Sequence, residues 1–420
     1  MNKLIYLFIF VLSCAILYPQ KHAYNSNEYE ITLLSAIEEG LKNNPEIKSA
    51  QEKINLSDGK FWSGISLPQP QLNFNYDFVP GGKNLNNFTE RVIEVSQSFD
   101  FPTNYFLKGA LHSGETEISR MEFNLTKIEV TGRIKTAYYN LVHAKEQLRI
   151  EEENLSLTAD FMQKAEIRYN VGEGTNLELL TAKVQYTESL NNVARQKNEV
   201  IQANTELNFV LGNDQTGSRI YNPADKLEYT ELNYDETDLI NNSFNNNAEI
   251  KIGELTVSKS STENSLAWSG LLPGFNLAYS KQTLEGNDNY YGASFGISVP
   301  LWFLLDQRGR IQETSANESI AEYELQLIRN KVRVQIIKAY TRFKNQQKQM
   351  QMYKTDLLPL SDEVYSTALK SYEAGEITYL EFLQAKQILI NSKSNYLKTL
   401  LDYNLSIVDL ETAAGFELNK

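Results

Sequence analysis

Residues that build disulfides, metal centres and nucleophilic active sites are scarce in this sequence. Its 420 residues include one cysteine, Cys14, and three histidines, His22, His112 and His143. One thiol cannot form an intrachain disulfide, and these four side chains are too few to assemble a zinc or copper site. No Ser-His-Asp arrangement, carboxylate pair or glycine-rich phosphate loop stands out. We therefore expect a protein without catalytic activity, metal or cofactor, held together by packing alone.

Positive charge is also in short supply. Lysine and arginine number 40 against 53 acidic residues, the formal net charge is −13, and the basic residues form no stripe. Proteins that bind phosphate backbones need clustered basic residues in order to release counterions. We therefore expect no nucleic acid among the partners. Hydrophobic residues make up 41% of the chain, which is enough to build a core.

Long apolar runs are missing beyond the N-terminus. The run at residues 4–12 predicts a secretory signal peptide over residues 1–23, too short for a membrane span. Cys14 follows "VLS", which loosely resembles a lipobox and makes lipidation of this cysteine one alternative. The other is cleavage near Gln20 or Ala23, which would discard Cys14. No later segment offers the ~18 consecutive apolar residues of a membrane helix, so entry into a bilayer would require a β-barrel.

The chain is a tandem duplication with a period of 203 residues. "YNVGEGTNLELLTAKVQY" at 169–186 returns as "YEAGEITYLEFLQAKQIL" at 372–389, and "NNPEIK" at 43–48 returns as "NNAEIK" at 246–251. Such a period is too long for a solenoid and indicates two structural halves. We predict a signal peptide at 1–23, a first repeat at 24–212, a polar linker at 213–235 and a second repeat at 236–420.

Each half is predicted to contain the same four parts in the same order. A helical stretch is followed by a strand pair, a very long helix and a returning helix. The helical parts are expected at about 30–65, 103–171 and 174–211, and again at about 236–268, 306–374 and 376–414. A helix of about 69 residues reaches about 100 Å, which no compact globule requires. The two shorter helices of a half together match that length and can lie end to end along it.

The strand pairs alternate apolar residues with polar or small ones. Leu72, Phe74 and Tyr76 alternate with polar residues, and Phe295 and Ile297 alternate with glycine or serine. Segments of nine to ten residues with aromatic ends are typical of strands that cross a bilayer. A half-buried hairpin in a soluble sheet has the same pattern. Four strands cannot close a barrel, so several copies would have to associate, and three chains would contribute twelve strands.

Over nearly the whole chain after the signal peptide, these features resemble the TolC family of outer-membrane efflux proteins. The tip motifs "RYNVGEGTNLELLTAK" and "SYEAGEITYLEFLQAK", each behind a strand pair and a long helix, carry the resemblance. It implies an α+β membrane protein: a homotrimer whose long coiled-coil α-helical barrel is continued by a transmembrane β-barrel, four strands from each chain. The implied location is the bacterial outer membrane, with a large periplasmic portion.

The resemblance also implies a function and partners. The chain would conduct substrates passively, receiving them from a periplasmic adaptor and, through it, an inner-membrane pump of the RND or ABC type, with outer-membrane lipid around the barrel. The alternative is an exported coiled-coil structural or adhesive surface protein without a channel. Heat-modifiable trimers that need detergent favour the channel, whereas a water-soluble elongated dimer favours the coiled coil.

A gate at the hairpin tips is a further implication of the resemblance. Acidic side chains one and two helical turns after the tip glycine line the family's constriction. Glu381 occupies the first position, and Gln384 the second, so a doubled acidic ring is not expected. Tyr372 matches a tip tyrosine that joins an acidic residue of the outer hairpin, for which Glu178 is the matching position. The family's basic partner falls at Ile377, so the contact between hairpins should be weaker or built differently.

The second tip is expected to be the inner, gating one. Three copies of Glu381 around a pore would repel one another, raise their pKa values and attract cations. Pro359 interrupts the second long helix, where it removes a backbone hydrogen bond and predicts either a static bend or a hinge for the inner hairpin.

The tips themselves are predicted to be tight turns. Three glycines are expected there because they permit positive φ: Gly172, Gly174 and Gly375. The exposed turn residues beside them are the expected adaptor contacts: Glu173, Thr175, Glu376 and Thr378.

Overall fold

The computed structural model of the protein describes residues 28–82, 84–213, 219–301 and 306–418. The predicted signal peptide, with Cys14, lies outside the described residues, as does part of the predicted linker. The first half and linker contain, in chain order, β1 (Tyr29–Ile31), α1 (Leu33–Asn43), α2 (Pro45–Gly64), β2 (Gln71–Asp77), β3 (Glu90–Phe99), α3 (Pro102–Asn170), α4 (Asn176–Val210) and β4 (Tyr221–Pro223). The second half contains α5 (Glu236–Asn246), α6 (Ala248–Ser269), β5 (Gly274–Leu284), β6 (Asn287–Ser298), α7 (Asp306–Met352), a π-helical segment (Tyr353–Leu357), α8 (Leu358–Glu373) and α9 (Tyr379–Ala414).

The first helical stretch of each half is divided in two, so the prediction of one continuous helix there is wrong. Asn44 separates α1 from α2, and Asn247 separates α5 from α6. Each asparagine caps the following helix, because its side-chain oxygen accepts the N–H of Glu46 or Glu249 at 2.8 Å. In the first half Pro45 adds to the break, since a proline disfavours helical backbone in the residue before it.

The long helix of the first half forms as predicted. α3 is one continuous helix of 69 residues, and α1, α2 and α4 all pack against it. In the second half α6 packs against α7, while α9 packs against both α7 and α8. Contacts of α3 with α6 and α9 hold the two halves together. At about 1.5 Å per residue, α3 alone separates its two ends by about 100 Å.

The second long helix is interrupted by the π-helical segment, which the sequence does not predict. This segment precedes Pro359, which lies in the first turn of α8. Leu358 donates its N–H to the carbonyl of Tyr353, five residues earlier rather than four. A proline ring inside an α-helix clashes with the carbonyl four residues before it, and a wider turn relieves that clash. The helical backbone therefore continues past the proline by changing its hydrogen-bond spacing.

Both strand pairs join into one four-stranded antiparallel sheet with the order β2-β3-β5-β6. The two halves meet where β3 pairs with β5, and Val95 lies opposite Tyr279. This sheet stands at one end of α3, and the turn that leads into α4 stands at the other. A second, short sheet is formed by β1 and β4, which pair in parallel.

The apolar core follows the rods instead of filling a globule. Two clusters lie around the middle of the long helices, and their fully buried members include Ile134, Tyr138 and Phe343. Part of the predicted linker lies against these clusters. The Thr230 carbonyl of this linker accepts the hydroxyl proton of Tyr403 at 2.5 Å. A third cluster, centred on Phe161 and Phe382, lies beside the two turns. No helix in the described ranges is both long and apolar enough to cross a membrane.

Candidate functional site: the two hairpin tips

The two hairpin turns share three equivalent backbone hydrogen bonds. Gly172 and Gly375 have φ of 81° and 74°, the left-handed region that favours glycine. In each turn the next residue, Glu173 or Glu376, donates its N–H to the carbonyl five residues earlier at 2.9 Å. This bond satisfies a carbonyl at the end of the helix that has no partner within the helix, and in the first turn the same Arg168 carbonyl also accepts the N–H of Gly174 at 3.0 Å. The repeated glycine is therefore required by the turn itself.

Gly174 serves a different purpose from the one predicted. Its φ is not positive, so that prediction is wrong for this glycine. A Cβ at position 174 would lie 3.1 Å from the backbone nitrogen of Tyr169 and 3.2 Å from the carbonyl carbon of Arg168. The close approach of the turn to the last turn of α3 leaves little room for a side chain.

Two threonines start the returning helices. Thr175 accepts the N–H of Glu178 at 3.1 Å, and Thr378 accepts the N–H of Glu381 at 3.4 Å. Threonine is a favoured N-cap because its hydroxyl binds an amide that has no partner within the helix. Both threonines are exposed, as are Gly172, Glu173, Gly375 and Glu376, whereas Gly174 is half-buried. The predicted adaptor contacts are thus brought to two adjacent turns at one end of the molecule.

Glu381 folds back onto its own helix start. Its carboxylate accepts the Thr378 N–H at 2.7 Å and the Thr378 hydroxyl at 2.8 Å, which completes a capping box. These two hydrogen bonds, the backbone one first, hold the pKa of Glu381 below the usual value of a glutamate. Gln384 lies almost one turn further along α9, and both side chains are exposed. The rise in pKa expected from a ring of three such carboxylates stays a prediction.

Glu178 occupies the equivalent position in the first tip but binds another group. Its carboxylate accepts a hydrogen bond from Arg168 at 3.2 Å and is only 16% exposed. Arg168 also donates to the hydroxyl of Tyr372, in the other hairpin, at 3.4 Å and to the carbonyl of Glu173 at 3.4 Å. The tip therefore contains the basic residue that Ile377 does not supply, and it comes from the first hairpin, at the end of α3.

Sequence reasoning missed Arg168, although a signal for it exists. The residue that follows it by the 203-residue period is Ser371, so the two tips differ here while the glutamates match. Ile377, the position at which the family's basic residue falls, packs against the apolar cluster around Phe161 and Phe382, the tip cluster.

Apolar packing dominates the contact between the two hairpins. Phe161 of α3 lies 4.9 Å, between ring centroids, from Phe382 of α9 and 6.5 Å from Tyr372 of α8. Phe382 is fully buried. Each aromatic pair contributes about 0.5–1.5 kcal/mol beyond its buried area, whereas the hydrogen bond from Arg168 to Tyr372 is long, at 3.4 Å, and therefore weak. The polar link from Arg168 to Tyr372 therefore orients the hairpins more than it holds them.

The described part of the chain offers no alternative site with metal-binding chemistry. No group of three or more histidine, cysteine, aspartate or glutamate side chains is placed to hold an ion within it. A cavity of about 810 Å³ lies near the middle of the rods and is lined by two ion pairs, Arg133 with Glu46 and Arg342 with Asp409.

Solved structures with the same fold are outer-membrane channels. The chain superimposes on CusC with a TM-score of 0.76 at 17% identity, covering 96% of both chains. VceC from Vibrio cholerae gives 0.74 at 15% identity, covering 92% of this chain and 96% of VceC. The open state of MtrE from Neisseria gonorrhoeae gives 0.76 at 13% identity, covering 91% and 89%. Comparison with curated protein sequences gave no significant match.

A sequence model of one protein family matches both halves of the chain. It is the model described as outer membrane efflux protein, and it covers residues 36–213 and 239–416, two segments offset by the same 203-residue period. Together they account for most of the chain and include both hairpin tips. The chain therefore belongs to the outer membrane efflux protein family, the TolC-like channels of the bacterial outer membrane.

Proposed function

We propose that this protein is the outer-membrane channel of a tripartite efflux system and works as a homotrimer. Three four-stranded sheets would close into a twelve-stranded barrel, and the helices would continue that barrel into the periplasm. The strand order supports this assembly, because β2 and β6 have no neighbour on their outer sides among the described strands. Every residue of β6 is exposed in the single chain. Pairing of β6 with β2 of the next copy would satisfy both edges.

The two faces of the sheet differ as a lipid-facing barrel requires. One row runs across β2, β3, β5 and β6, where each residue is paired with the next: Leu72, Val95, Tyr279 and Ala293. The neighbouring row on the other face consists of Asn73, Glu94, Ser280 and Gly292. Apolar residues outward and polar or small residues inward are the pattern of a transmembrane barrel.

The tips would meet a periplasmic adaptor, and through it an inner-membrane pump of the RND or ABC type. They stand at the far end of about 100 Å of helix from the sheet, so a sheet in the outer membrane places them deep in the periplasm. The adaptor would contact the turn residues, of which all but the half-buried Gly174 are exposed: Gly172, Glu173, Gly174, Thr175, Gly375, Glu376 and Thr378.

The inner hairpin, α8 and α9, would act as the gate. Glu381 and Gln384 are exposed and would face the pore, where three copies of each meet around the axis. Tyr372 and Glu178, linked through Arg168, would set the resting position of the inner hairpin against the outer one. The π-helical segment before Pro359 would supply the hinge, since π-helical turns inside α-helices frequently occur at functional sites.

The observation that carries the proposal is the joining of both strand pairs into one open-edged sheet at the opposite end of the rods from both tips. The test is purification in detergent followed by reconstitution into a planar bilayer. We expect a trimer band that converts to monomer on heating, and ion conductance that depends on the protein. A water-soluble elongated dimer without conductance would instead support the coiled-coil surface protein.

A further inference from the structure

Lys386 is a buried cation between the two hairpins. It lies on α9, is 3% exposed, and its Nζ has no hydrogen-bond acceptor among the described residues. The Nζ lies 5.7 Å from the centroid of the Phe161 ring, which belongs to α3 of the outer hairpin. A charged amine in such a place is costly unless it is paired, because burial removes its hydration.

The equivalent lysine in the first repeat has an ion-pair partner that Lys386 does not have within the described ranges. Its equivalent in the first half is Lys183, which is exposed and forms an ion pair with Glu166 at 3.7 Å. The residue equivalent to Glu166 in the second half is Leu369, which packs on the tip cluster. The second repeat therefore keeps the lysine but replaces its acceptor with an apolar side chain.

Other charged groups around the tip are engaged elsewhere or exposed. On α3, Asp160 and Lys164 pair with each other at 2.8 Å, and Glu166 pairs with Lys183 of α4. Glu178 of α4 is bound to Arg168. The other charged groups near the tip on α8 and α9 are exposed: Asp362, Glu363, Lys370, Glu373 and Glu381. The tip cluster also contains the phenols of Tyr365, Tyr372 and Tyr379. Burial alone lowers the pKa of Lys386 to about 8.

We propose that Lys386 is a gating residue that weakens the packing of α9 on α3, so that the inner hairpin can separate from the outer one. This inference rests on the proposed gate. When the hairpins separate, water reaches the amine and the cost of its charge disappears. The apolar contacts of Phe161 and Phe382 hold the tip together, and Lys386 opposes them.

The dependence on pH follows from the two states. In the packed tip the pKa of Lys386 is about 8, and in a separated tip it returns toward its usual 10.5. Between these values the separated tip binds more protons, so a fall in pH through this window favours separation. Below about pH 8 Lys386 is protonated in both the packed and the separated tip, so a further fall in pH no longer changes the balance between them. At neutral pH the packed tip therefore already contains an unpaired ammonium.

The experiment compares open probability in planar bilayers at pH 7.5 and 9.5. For the wild type we expect the ratio of open to closed channels to fall at least about tenfold at pH 9.5, because up to tenfold per pH unit is expected for each protomer. In Lys386→Met, which keeps length and removes the charge, the ratio should be lower than in the wild type at pH 7.5 and insensitive to this pH change. Lys183→Met, in the equivalent exposed position, should behave like the wild type.

The outcomes separate this inference from the proposed function. Absence of conductance in all three proteins would count against the channel. Conductance with the same pH response in wild type and Lys386→Met would overturn the role of Lys386 alone. A second measurement does not use conductance: an amine-acylating reagent read by mass spectrometry should label Lys386 far more slowly than Lys183. Equal labelling rates in the intact protein would show that Lys386 is not shielded and would also overturn the inference.

Discussion

Glu178 and Glu381 occupy equivalent positions, yet their carboxylates bind different groups. Glu381 caps the helix in which it lies, whereas Glu178 accepts a hydrogen bond from Arg168 at 3.2 Å. The cause is one difference between the repeats, since Arg168 corresponds to Ser371. A serine cannot reach or pair with a carboxylate ten residues further along the chain as an arginine does. The duplicated motif has therefore produced one tip whose glutamate forms an ion pair and one whose glutamate is bound only to the start of its own helix.

Replacing Arg168 with glutamine should favour opening of the tip. The variant loses the charged link to Glu178 and weakens the contact with Tyr372. Because Arg168 is 43% exposed, its ion pair should contribute about 0–1 kcal/mol, so the open probability should rise severalfold while thermal stability changes little. Single-channel recording measures the first and thermal unfolding the second. Arg195→Gln, at an exposed arginine on α4 that donates a hydrogen bond to Asn192 on the same helix, is the control; an equal effect in both variants would contradict the prediction.

Replacing Glu381 with glutamine should reduce selectivity for cations. The proposed ring loses its three charges, while glutamine can still complete the capping box, so the helix start is preserved. The measurement is the reversal potential across a bilayer with a salt gradient. Glu376→Gln removes an equally exposed charge from the turn and should have the smaller effect. Unchanged selectivity in Glu381→Gln would refute its place in the constriction.

Replacing Pro359 with alanine should remove the π-helical segment. Alanine restores an N–H and removes the ring, so the segment from Tyr353 to Leu357 can return to α-helical spacing. We expect slower amide hydrogen exchange in this segment and a lower open probability. Pro102→Ala, at the first turn of α3, where proline is tolerated, should change neither quantity. Unaltered exchange together with unaltered gating would leave Pro359 as a static feature.

Replacing Phe295 with lysine should impair insertion of the sheet into the outer membrane. Phe295 lies on the apolar face of β6 and is exposed in the single chain. A lysine on a lipid-facing strand costs about 2–4 kcal/mol near the bilayer midplane. Ser294→Lys places the same charge on the opposite face of the strand, where water would fill the barrel. The yield of heat-modifiable trimer in outer-membrane fractions should fall for Phe295→Lys only, and an equal loss for both would argue against the proposed faces.

Helix types and strand alternation were predictable because they depend on local periodicity. α3, the four strands of the large sheet and the two glycine turns lie close to where the sequence pattern predicts them. The division of the first helices at Asn44 and Asn247 was missed, since an asparagine cap inside a continuous helical pattern is a weak local signal. The π-helical segment was missed for a related reason: a proline predicts a disturbance of a helix but not how the backbone absorbs it.

By itself the sequence determined the duplication, the rods, the strand pairs and the family, because these rest on spacing along the chain. Only the tertiary structure decided how the two copies of the tip differ. Arg168 donates a hydrogen bond to Tyr372, which lies 204 positions later in the chain. Lys386 has no acceptor in the described part of the chain, because Leu369 occupies the position equivalent to Glu166. Both facts depend on how separate helices pack together. Such contacts depend on which side chains face one another across helices, and local periodicity carries no information about that.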